Sequence, residues 1–152
     1  MTRKQPANLT DKALYFTAFT EEAGTELYQL DPGSHTPTLI DINPGPESSY
    51  LSGFIKFNGH LYFSATTALT GAELYRLGRD GIPTLVADIV PGADGSAPGS
   101  FIEFNGQLYF SALTEETGFE LFKLARDGTV TLVADINQGI VGSITTDDFF
   151  VL

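Results

Sequence analysis

The chain has 152 residues, 42% of them hydrophobic and 18% charged, a composition that buries a core and is not that of a disordered segment. Its formal charge is −11 and unevenly placed: residues 1–12 hold Arg3, Lys4, Lys12 and Asp11, leaving five bases against eighteen acids, or −13, on the rest. So acidic a body repels phosphate backbones and anionic lipid, which argues against nucleic acid and membrane surfaces as partners, and the lack of cysteine rules out disulfides and thiolate sites.

Residues 1–13 read as an N-terminal tail. The start is basic but no apolar stretch follows it, so no signal peptide is read in this chain. Asn8-Leu9-Thr10 matches a glycosylation sequon without any other secretory sign. From Leu14 onward the chain repeats itself. The string Leu-Tyr-Phe-(Thr/Ser)-Ala begins at Leu14, Leu61 and Leu108, each 47 residues after the last. Glu26, Glu73 and Glu120 keep the same step before leucine, as do Asp41, Asp88 and Asp135 after a Thr-Leu run. Gly45, Gly92 and Gly139 follow, then Ser49, Ser96 and Ser143. Residues 61–105 laid over 108–152 without a gap match at 23 of 45 positions, so the array is one unit used three times, about 14–60, 61–107 and 108–152.

Each unit contains four short strand-like runs. In the first unit strands are expected to start near Leu14, Glu26 and Pro37. In the middle of the chain the runs are Leu61–Ala65, Glu73–Leu77, Thr84–Ile89 and Ser100–Phe104, the last leading into the third unit. All are rich in β-branched and aromatic residues and bounded by Gly, Pro, Asn or Asp. Asn58-Gly59 and Asn105-Gly106 tolerate positive φ at both turn centres and predict tight hairpins, and Asp80-Gly81 and Asp127-Gly128 are read the same way. No segment has a sustained helical period. The fold class expected is therefore all-β, a β-propeller of three 47-residue four-stranded blades per chain. The Tyr and Phe of the Leu-Tyr-Phe and Glu-Leu-Tyr runs are expected to fill the space between blades, because a lone four-stranded sheet cannot cover both its faces.

The residues that carry this pattern are Phe104-Asn105-Gly106, then Leu108–Ala112, Glu120-Leu121, Asp127-Gly128-Thr129 and Thr131–Ile136. Over residues 13–152 this pattern resembles the ELWxxDGT repeats of large, mostly bacterial, exported proteins. Tyr28, Tyr75 and Phe122 stand where that family has Trp, and the Asp-Gly-Thr element is whole only at 127–129. The resemblance implies a propeller-type module of bacterial extracellular or cell-surface proteins, and no known reaction. The strand order is also similar to kelch blades, without their double glycine.

Three blades are too few to close a ring, since propellers have four to eight. Residues 147–152 fall in the register of a lead strand, whereas the first unit opens at Leu14 with no lead strand before it. Two chains closing on each other would make six blades, each spare strand completing the partner's open blade and removing two bare edges. The expected partner is therefore a second copy of the chain, with a glycan or protein ligand of unknown identity.

The candidate sites are few. Asp41, Asp88 and Asp135 stand at strand ends beside Gly-containing turns and are read as acceptors for turn amides, with a calcium site as the rival reading. Glu21-Glu22 and Glu115-Glu116 are adjacent acids on loops, not the opposed pair that glycoside cleavage needs. His35 and His60 recur in no other unit and sit in turn contexts, which argues against a general base. With no nucleophile elbow, phosphate loop or zinc spacing, no catalytic, cofactor or metal residue is assigned. The function expected is a non-enzymatic binding or structural module that closes into a ring by homodimerisation. The alternatives are an excised or engineered fragment serving as a folding scaffold, and a glycan-active hydrolase or lyase with a funnel site.

Overall fold

In a computed structural model the described residues are 12–144 and 149–151. Strand content is 51% with no helix among the described residues, so the chain is all-β as expected. Eleven strands form three antiparallel sheets in chain order. The first contains β1 (Leu14–Thr20), β2 (Gly24–Leu30) and β3 (Thr38–Ile40). The second is β4 (Ser52–Phe57), β5 (His60–Thr67), β6 (Gly71–Leu77) and β7 (Pro83–Ala87). The third repeats it with β8 (Gly99–Phe104), β9 (Gln107–Thr114), β10 (Gly118–Leu124) and β11 (Val130–Ala134). Each sheet is a meander in which every strand pairs with its chain neighbour. Successive sheets are thus 47 residues apart, with the last strand of one unit serving as the lead strand of the next sheet, and the first sheet has no lead strand among the described residues.

Turn chemistry follows the residues. Asn58 and Gly59 have φ of 47° and 79°, Asn105 and Gly106 of 50° and 71°, the double positive φ of a two-residue hairpin that matches strand twist. The Asp-Gly turns differ from this. Only Gly81 and Gly128 turn positive there, and Gly78 N–H donates to Ile82 O while Gly81 N–H donates to Gly78 O. That is a three-residue loop with a glycine bulge. Asp80 and Asp127 stay at negative φ and accept the amides of Ile82 and Thr129 at 3.2 and 2.9 Å.

Alternation along the strands gives each sheet two apolar faces, and the sheets stack face to face. Leu27, Ile40 and Ile42 of the first unit pack with Phe63, Ala65, Tyr75 and Leu77 of the second. On the second sheet's other face Phe57, Tyr62 and Leu74 pack with Leu108, Phe110, Ala112, Phe122 and Leu124 of the third. Phe16–Tyr28, Phe63–Tyr75 and Phe110–Phe122 are directly opposed cross-strand pairs with centroids 5.8, 6.5 and 6.1 Å apart. The lead strands β4 and β8 also approach each other across the stack. Gly53 is part of that approach, since a Cβ there would meet the Phe101 ring at 2.5 Å.

Candidate functional site

Glu26, Glu73 and Glu120 each occupy the third position of the second strand of their unit, and each is sealed from solvent. They hold the loop that carries the chain to the next sheet. Glu73 accepts the amides of Val90 and Ser96 on Oε1, at 2.9 and 3.0 Å, and the Ser96 hydroxyl on Oε2 at 2.6 Å. Glu120 accepts Ser143 N–H on Oε1, and Ile136 N–H and the Ser143 hydroxyl on Oε2, and Glu26 accepts from Ile42 N–H at 3.0 Å. The loop comes so close that a Cβ on Gly71 would stand 2.5 Å from Ala93 O, at a φ of +60°. A glycine recurs at 24, 71 and 118 for this reason.

The amide-accepting role expected of the aspartates therefore belongs to the glutamates. Asp41 and Asp88 are exposed, with no hydrogen bond to their carboxylates among the described residues, and Asp135 Oδ1 is buried without a partner. Burial raises the carboxyl pKa of Glu26 and Glu73 above the ordinary value despite these bonds. Glu120 goes the other way. Burial again pushes up, but the bonds from Ser143 and Ile136 outweigh it, because among the described residues no further sheet covers the third to deepen the burial. These glutamates are clamps. No group of three or more metal-ligating side chains gathers among the described residues.

Above each clamp the linking loop bonds to the next sheet. Thr66 N–H donates to Ser49 O and Leu113 N–H to Ser96 O, both at 2.7 Å. Between the first two sheets Asn43 adds a clip: its Nδ2 donates to Glu47 O and its Oδ1 accepts Ala68 N–H at 3.1 Å. Val90 stands at this position in the second unit and Asn137 in the third, where Nδ2 donates to Val141 O at 2.6 Å. Asn137 Oδ1 and Ser143 O thus lie in the pose that binds a following sheet, at the end of the stack.

The two outermost faces carry counterparts of the residues on the inner ones but stand open. Phe63 and Phe110 are fully buried, whereas Phe16 is half-buried. Leu27 and Leu74 are fully buried, and Leu121 is half-buried. Ile42 is 8% exposed and Ile136 is 65%. On the third sheet Ile102, Phe104, Tyr109 and Leu121 line a groove of about 580 Å³, closed on one side by Phe149, Phe150 and Val151. Residues 149–151 make no strand pairing, and Phe150 remains exposed. Of the lead strand expected at 147–152, residues 147, 148 and 152 lie outside the described residues, as do residues 1–11 with the sequon and most of the tail.

The other candidates are dispersed. Glu21, Glu22, Glu115 and Glu116 are exposed on turns, and Glu115 and Glu116 border an open cleft between the second and third sheets with Asp94. His35 is exposed in the loop before β3, while His60 is not in the hairpin turn but is the first residue of β5. The glutamate clamp was signalled in the sequence by its constant 23-residue spacing to serine, and the Asn43/Asn137 correspondence by two asparagines in one register. Comparison of the chain with family models, with curated proteins and with solved structures finds no match.

Proposed function

We propose that the chain is a β-propeller module that binds or scaffolds rather than catalyses, and that it closes its ring by pairing with a second copy, six blades in all. The observation that carries this reading is the pair of open faces. The third sheet's outer face is the counterpart of the faces that the first and second sheets bury, and the first sheet's outer face is the counterpart of those the second and third bury. Each open face is the other's complement, so a head-to-tail contact of two copies repeats an interface the chain already makes twice.

Register makes the contact specific. Shifted by one unit, the bonds of Thr66 to Ser49 and of Leu113 to Ser96 become a bond from the partner's Phe19 to Ser143 O. The Asn43 clip becomes one from the partner's Glu21 N–H to Asn137 Oδ1. Residues 149–151 lie against the third sheet, and pairing them with the partner's β1 gives the partner's first sheet its lead strand. The resemblance to ELWxxDGT repeats agrees with a propeller module of exported bacterial proteins. Light scattering behind size exclusion tests the reading: twice the 16.4 kDa chain mass is expected, and a compact monomer would overturn it.

A further inference from the structure

Where a repeat protein departs from its own repeat, the departure needs a reason other than folding. One end of the groove between the first and second sheets is such a place. A cavity of about 340 Å³ there is lined by Lys12, Lys56, His60 and Arg79 over a floor that includes Tyr15, Leu61 and Leu77. Arg3 and Lys4 lie outside the described residues, so of six described lysines and arginines in a chain of charge −11, three converge on one cavity. No carboxylate lines it. Two acids are near. Asp80 accepts its own turn amide from Ile82, and Asp31, whose charge Tyr15 feels, is bonded to Gln29 Nε2 at 2.6 Å.

The same place between the second and third sheets is built differently. Glu103 stands where Lys56 does, Gln107 where His60 does, and Gly59 where Lys12 does. Arg126, the counterpart of Arg79, spends its Nε–H on Gly106 O at 3.1 Å, whereas Arg79 makes no hydrogen bond among the described residues. His60 Nδ1 is buried without a partner, as is Gln107 Oε1 at the same place between the second and third sheets. A single exposed cation contributes little in water, but several aimed at one half-enclosed, apolar-floored cavity act on the same guest.

We propose that this cavity is a binding site for an oxyanion, a phosphate, sulfate or carboxylate group carried by a small ligand or a glycan, held by Lys12, Lys56 and Arg79 with His60 beside them. The site lies between two sheets of one chain, so it stands or falls independently of ring closure.

The test is calorimetric titration of the full chain with inorganic phosphate, sulfate and glucuronate, each at ionic strength matched with sodium chloride. A saturable isotherm with Kd on the order of 1 mM for at least one of the three is expected. Which arm binds best distinguishes a phosphorylated, a sulfated and an acidic-sugar source. The double variant Lys56→Glu, His60→Gln installs the residues found at the same place between the second and third sheets and should keep the fold while weakening binding at least tenfold. Arg79→Ala should weaken it separately. No saturable binding in any arm, or binding unchanged in the folded double variant, would overturn the site.

Discussion

Phe63 and Phe16 occupy one place in two copies of the same repeat, each opposite an aromatic partner across the strand pair. The first is sealed by the sheet before it, and the second has no such sheet and stays half-open. The contrast teaches that burial in this molecule belongs to the contact between sheets and not to the sheet itself. A residue's energetic weight is therefore set by its position in the stack, although its sequence context is nearly constant.

The comparison can be broken most forcefully inside the stack. Phe63→Ala should cost about 3–5 kcal/mol of unfolding free energy, by lost burial and the cavity left behind. Phe16→Ala should cost the isolated chain much less and appear instead as weakened self-association. Equal losses of monomer stability at the two positions would contradict the contrast. Glu73→Ala should cost about 3 kcal/mol, because the amides of Val90 and Ser96 and the Ser96 hydroxyl lose their acceptor together. Gly71→Ala is expected to be similarly severe, since both the φ of +60° and the approach of Ala93 O exclude a Cβ. Chemical denaturation of each variant measures these effects.

A smaller effect separates the glutamates by pH. Glu26 and Glu73 have raised folded pKa values, so the stability they contribute is fully present below the ordinary value of 4.5 and is lost as pH rises through their folded values. Glu120 has a lowered value, so its contribution is present above 4.5 and is lost as pH falls through its folded value. Melting temperature should therefore climb as pH is lowered from neutral toward the ordinary glutamate range and fall beyond it. Glu73→Gln should flatten the climb and leave the acid limb in place. Smallest of all is the response to metal. EDTA and added calcium should leave the melting temperature unchanged, because the exposed Asp41 and Asp88 gather no further ligands among the described residues; a calcium-dependent rise would restore the metal reading of these residues.

Much of the fold could be read from residues alone, because the signals were local and occurred more than once. The Leu-Tyr-Phe runs, the Asn-Gly hairpins and the 47-residue step all describe contacts within one sheet or between successive copies of it. The glutamate clamp was harder to read. Glu73 meets Ser96 across 23 residues, and an acid beside an apolar strand resembles a surface residue until the folded loop encloses it. Aspartate at a turn is the commoner acceptor, and here Asp80 and Asp127 fill that role at the three-residue loops while Asp41 and Asp88 do not. The cationic cavity was illegible for a related reason. Lys12, Lys56, His60 and Arg79 are spread over 68 positions and meet only when one sheet stacks on the next.

Ring closure is the central claim, and the molar mass of the chain in solution with and without residues 146–152 tests it most directly. The account predicts about 33 kDa for the whole chain, twice 16.4 kDa, and loss of that dimer or aggregation for the truncated one, whose open edges are no longer covered. A compact 16.4 kDa monomer that is indifferent to the deletion would contradict it.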